Sequence, residues 1–174
     1  IFAYRRKKEE LENEAIALLA ILQADRVVIS EFTNGEHSMT GQSFLNIRIA
    51  HEESRPSVEK VTNILRTTKI PTEDYQPKLD ELVEQGSLLL TKEDIERLDV
   101  RIQEHLLAIG VEVIYQELLR DRHGKLMGIL TIHYTNSKFY EGFRGATKAD
   151  AYRLCVYRIR QILDRPSPWW KVWG

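Results

Sequence analysis

The spacing of hydrophobic positions changes along the chain, and each change of period marks an element. From Lys7 to Gln23 the apolar residues recur at helical spacing. Leu11, Ala15, Leu18 and Leu22 form one stripe, Ile16, Leu19 and Ala20 broaden it, and no glycine or proline interrupts it. From Arg26 to Phe32 the period falls to two, and Thr33-Asn34-Gly35 is a turn signal. Phe44 to His51 alternates as well, with Leu45, Ile47 and Ile49 opposite Asn46, Arg48 and Ala50. The pattern predicts a helix and then two strands joined by a polar, exposed connection.

Pro56 opens a predicted helix over Ser57 to Thr68, which Ile70-Pro71 ends. The acidic stretch Thr72 to Gln85 predicts a turn and a short helix around Leu79, Leu82 and Val83, followed by a brief apolar run at Ser87 to Leu90. Thr91-Lys-Glu-Asp94 is a capping pattern that introduces one helix through Ile95, Leu98, Ile102, Leu106 and Ile109. Gly110 to His133 alternates on both sides of Asp121-Arg-His-Gly124 and predicts a β-hairpin. Asn136 to Ala146 reads as a loop carrying Phe139, Tyr140 and Phe143. Thr147 then caps a last helix, with Ala151, Cys155, Ile159 and Ile162 on one stripe and Arg165-Pro-Ser-Pro168 as its stop.

Size and composition fit one domain: 174 residues, 43% hydrophobic, are enough for a buried core. The chain divides into a basic lead-in at 1–8, a domain at 9–164 and a Pro/Trp-rich tail at 165–174. A net charge of −1 gives no global steering toward nucleic acid. Locally the charge is uneven: Glu73 to Glu104 holds ten acidic residues against four basic ones, whereas Arg5 to Lys8 is wholly basic. Ile1-Phe-Ala-Tyr4 running into those cations resembles the cytoplasmic exit of an upstream transmembrane helix, which would tether the domain at the cytoplasmic face of a membrane; the alternative is a basic helix start on a soluble cytoplasmic domain. No stretch within the chain approaches the ~20 apolar residues that span a bilayer. All three tryptophans (Trp169, Trp170 and Trp173) fall in the tail, which either folds back onto the domain, docks on a partner chain or lies at a membrane surface.

The chemistry is sparse. The five histidines show no metal-ligand spacing, and the single Cys155 has no cysteine partner for a zinc site or a disulfide. It sits mid-helix as a buried structural thiol. His51-Glu-Glu53 is the nearest thing to a carboxylate–imidazole cluster and reads as a solvated strand end. No phosphate-binding glycine loop is present. Arg153, Arg158 and Arg160 read as a solvated helix face, so nucleic acid is not the expected partner. Nothing here predicts an enzyme, and no cofactor is indicated.

Three segments carry a family resemblance: Ala24-Asp-Arg-Val-Val-Ile29 entering the first strand, Ala108-Ile-Gly-Val111 before the hairpin, and Leu119-Arg-Asp-Arg-His-Gly-Lys-Leu-Met-Gly-Ile-Leu130 across it. Their order and spacing, from about Leu11 to Leu163, resemble a divergent GAF domain of the GAF/PAS-like sensor group. The resemblance implies an α+β fold, an antiparallel sheet with the first and last helices on one face and a ligand pocket under the intervening segments. It also implies a regulatory homodimer that senses an unknown small ligand; the alternative is a ligand-free assembly module in a larger complex. Strand faces offer Phe44, Asn46, Arg48, Tyr115, Glu117 and His133 as pocket positions. Leu11, Ala15, Leu18, Leu22, Ala151 and Ile159 are the helix positions for a dimer. The chain departs from the family's bilin-attaching members, which need a cysteine in the helical region before the hairpin.

Overall fold

The computed structural model describes residues 2–33, 46–65, 72–135 and 139–165. Helix α1 runs from Phe2 to Leu22. It ends where Gln23 takes a left-handed backbone (φ 46°) and the Ala24 N–H returns to the Leu19 carbonyl. Strand β1 (Arg26–Thr33) pairs antiparallel with β2 (Asn46–Ser54). Helices α2 (Val61–Leu65) and α3 (Thr72–Gln85), strand β3 (Ser87–Leu90) and helices α4 (Lys92–Glu96) and α5 (Val100–Ala108) follow. The predicted hairpin is β4 (Val113–Arg120) and β5 (Leu126–Tyr134), and α6 (Phe143–Lys148) and α7 (Asp150–Leu163) complete the described chain.

The five strands form one antiparallel sheet in the order β2-β1-β5-β4-β3, so β5 lies beside β1 and at the centre. Alternation gives each face its own core. Val27, Ile29, Val113, Leu130, Ile132 and Tyr134 face α1 and α7, together with Leu11, Leu18, Tyr152 and Ile159. Ile114, Leu118 and Ile129 face the other way and pack with Val61, Leu82, Ile102 and Leu106 of the α2–α5 layer. The expected α+β arrangement, with the first and last helices on one sheet face, is the one observed.

Four expectations about elements are corrected. Helix α2 begins at Val61, not after Pro56, because the buried Glu52 carboxylate accepts the Val61 and Thr62 N–H groups and fixes the start there. Thr72 to Gln85 is a single helix with Pro77 inside it, where a turn and a short helix were expected. The single helix after Thr91 is two. Asp94 accepts the Thr91 N–H at 2.9 Å as the pattern predicts, but Asp99 starts α5 anew by accepting from Arg101 N at 2.9 Å. The Gln103 amide donates to the Leu98 and Glu96 carbonyls, so the break leaves those groups satisfied. Finally, the aromatic loop closes into α6, and Thr147 bonds back to Arg144 O while Ala149 occupies the cap position of α7.

Candidate functional site

The sheet face toward α2–α5 carries the buried polar groups. Arg26 starts β1 with its side chain on this face and is 1% exposed. Its guanidinium donates to Ile109 O at the end of α5 (3.1 and 3.2 Å), to Glu59 O ahead of α2 (2.7 and 3.2 Å) and to His133 Nδ1 on β5 (3.0 Å). Glu52 Oε2 lies 3.7 Å away and binds the start of α2, with Thr62 Oγ1 donating to its other oxygen at 2.8 Å. One cation thus fastens β1, β5, α5 and the approach to α2 to each other. Burial lowers the Arg26 pKa and the charges of Glu52, Asp25 and Glu59 oppose this; an arginine keeps its proton throughout. His133 is forced neutral, its pKa driven to about 3 by burial first and by the Arg26 charge second. Nδ1 is therefore the acceptor, which suits the arginine.

Further along the same face lie Ser30 and Thr131, both buried, and Gln116, whose amide donates to Thr131 Oγ1 at 3.3 Å. Around them the described residues of α2–α5 present apolar side chains, Leu106, Ile109 and Val111 among them. The chemistry here is hydrogen bonding from neutral groups, one saturated cation and the buried Glu52 carboxylate beside it. Among the described residues no group of histidines, cysteines and carboxylates is placed to hold a metal.

Of the pocket expectations whose side chains are described, His133 lies on this face while Arg48, Tyr115 and Glu117 do not. Tyr115 and Glu117 point to the terminal helices: Tyr152 Oη of α7 donates to Glu117 Oε2 at 2.7 Å, and the Tyr115 ring meets Phe143 edge-on at 4.9 Å. Burial, then the Glu117 charge, raises the pKa of both tyrosines. Arg48 lies at the sheet edge on the α1 side, bonded to Glu31 at 2.6 Å, and Glu31 also accepts from Lys7 at 2.9 Å. Burial pulls the Glu31 pKa up, but the bonds from Arg48 and Lys7 outweigh it and hold the carboxylate below its usual range. Arg48 alternates with apolar neighbours, and at an edge strand polar residues fall on whichever face meets water. Asn46 begins β2, and Phe44 lies outside the described residues.

The dimer positions are redistributed too. Leu11, Ala15, Leu18, Leu22 and Ile159 are at most 2% exposed and spend their side chains on the intrachain core, while Ala151 is exposed. The exposed apolar groups on these helices are Phe2, Tyr4 and Ile16 on α1 and Leu154 and Tyr157 on α7. Cys155 is buried as expected, with its thiol pushed up to about 11 by burial and by Glu14. His51, read as a solvated strand end, is buried and bonded to Glu53 at 3.0 Å. Sequence reasoning missed Arg26 and Glu52, which with Asp25 are buried charges. The available signal was a cation opening an apolar strand and an acid closing its partner. Trp169, Trp170 and Trp173 lie outside the described residues.

No protein-family model and no curated protein matches the sequence. Solved structures do match. The GAF3 domain of a Synechocystis protein in its photoproduct state superimposes with a TM-score of 0.67 at 11% identity, covering 91% of each chain. The fold here is that of a GAF domain. The blue-light-absorbing form of the PixJ GAF domain from Thermosynechococcus elongatus gives 0.64 at 12% identity, over 93% of this chain and 89% of that one. A domain assigned to a two-component sensor histidine kinase of Sinorhizobium meliloti gives 0.56 at 15% identity, over 95% and 96%. This GAF-like domain therefore shares its architecture with those chains across nearly its whole length.

Proposed function

We propose that this GAF-like domain is a non-catalytic regulatory module that senses a small ligand on the α2–α5 side and reports through α1 and α7. It works as a homodimer on the cytoplasmic side of a membrane, with the start of α1 toward the bilayer. The observation that carries the reading is the division of the sheet. One face packs α1 and α7; the other holds a separate helical layer fastened by Arg26. A ligand that preferred a shifted α5 or α2 would move the carbonyls bonded to Arg26 and so bias strands β1 and β5. Tyr134 Oη of β5 donates to Leu22 O at 2.6 Å, which links that strand directly to the end of α1. The resemblance to light-absorbing GAF domains and to a sensor-kinase domain supports this reading.

A second reading, a ligand-free assembly module, is favoured by the density of apolar side chains beneath α2–α5. Native mass spectrometry, gentle and then denaturing, separates the two. A small molecule released on denaturation supports the sensor. A discrete oligomer without one supports the assembly role, and a monomer without one contradicts both. No helix among the described residues is long and apolar enough to cross a membrane.

A further inference from the structure

The fold brings two separate basic segments to one pole. Lys7 reaches Glu31 near the end of β1, so the first turns of α1 stand at the sheet end where β4 turns into β5. Arg122 in that turn lies 4.0 Å from Asp164, and Arg165 pairs with Glu10, which sets the end of α7 between the hairpin tip and α1. Phe2 lies eight residues before Glu10, about 12 Å along a helix axis. The first buried residue of α1 is Leu11; before it Phe2 is 87% exposed and Tyr4 61% exposed, beside the exposed cations Arg5, Arg6 and Lys8.

The hairpin tip is held in shape. Asp121 Oδ1 accepts the N–H groups of His123 (2.7 Å) and Lys125 (2.9 Å), and Gly124 takes the positive φ of 78° that the turn requires. Arg122 and Lys125 are thereby presented outward from a fixed loop. Two exposed aromatic rings among cations suit an interface with one wet and one apolar side. We propose that this pole docks on an anionic lipid surface, with the β4–β5 hairpin tip as a second contact beside the start of α1. The inference rests on the membrane-side part of the proposed function and adds the contact that orients the domain. With both points engaged, α1 and α7 are held in a fixed attitude to the bilayer.

The test is flotation of the purified chain with phosphatidylcholine vesicles, with and without phosphatidylglycerol. The chain is expected to float only with the anionic lipid. Each cation near such a surface is worth about fivefold in affinity, so Arg122→Gln with Lys125→Gln should weaken binding about 25-fold at low salt. Phe2→Ser with Tyr4→Ser should also weaken it. Lys92→Gln with Arg97→Gln, exposed on α4, should change nothing. The proposal is overturned by failure to float with phosphatidylglycerol, by a hairpin variant equal to the parent, or by duplex DNA outcompeting the vesicles. Loss in the aromatic variant alone would leave the membrane-side reading standing and remove the hairpin from it.

Discussion

At the scale of single residues, the most demanding position is Arg26. Its guanidinium satisfies two main-chain carbonyls and a histidine in a dry setting, so removing it strands all three and leaves Glu52 without its buried counter-charge. Arg26→Ala should lower unfolding free energy by about 3–5 kcal/mol, measured by urea titration. His133 makes stability depend on pH. Its folded pKa of about 3 lies below the usual value of 6.5, so the unfolded chain binds the proton first as pH falls. Stability should be full above pH ~6.5 and drop by up to about 1.4 kcal/mol per unit below it, toward pH 3. His133→Asn, which keeps an acceptor for Arg26 but cannot titrate, should flatten that difference between pH 6.5 and 5. An unchanged slope would show that the imidazole is not held neutral. Gly128 is set by a close approach: a Cβ there would sit 2.0 Å from Ser30 O of the neighbouring strand. Gly128→Ala should cost about 1–3 kcal/mol, because backbone on both sides must separate.

Elements here start and stop where a side chain supplies the missing partner. Asp99 and Glu52 both satisfy orphan N–H groups, yet they differ in visibility. Asp99 is local, two residues from the Arg101 N–H that it accepts, and could be found by looking for a second cap inside the long apolar pattern. Glu52 acts from nine residues upstream, which no cap pattern describes. Asp99→Ala should destabilise by about 1 kcal/mol. Glu52→Gln keeps the shape but weakens the acceptor for the amides at 61 and 62, and their hydrogen exchange should accelerate more than that of β4. Equal protection in both places would deny Glu52 its capping role.

For the whole molecule, α1 and α7 are built to be half-buried together. Their inward residues are committed to the sheet, so a homodimer formed through the middle of these helices would use Ile16, Leu154 and Tyr157. Ile16→Glu with Leu154→Glu should convert a dimer to a monomer by light scattering without changing the thermal midpoint of the monomer. A dimer that survives both changes would place the interface elsewhere.

What the sequence determined by itself is the order of the strands, the two terminal helices and the fold class. Period-two runs at 26–32 and 110–133 and period-3.6 runs at either end are properties of consecutive residues, and they survive any arrangement of neighbours. The tertiary structure alone decided which face each strand turns inward. Alternation says that Tyr115 and Gln116 oppose each other, but both faces of this sheet are covered, so neither hydropathy nor spacing distinguishes the α1/α7 side from the α2–α5 side. It also decided the partners of the buried charges. Arg26, Glu52 and His133 are spread over more than a hundred residues of chain, and only sheet pairing brings them within reach of one another. The same pairing sets the basic hairpin tip beside the basic start of α1, because contact between distant segments is a property of the folded sheet and not of local sequence.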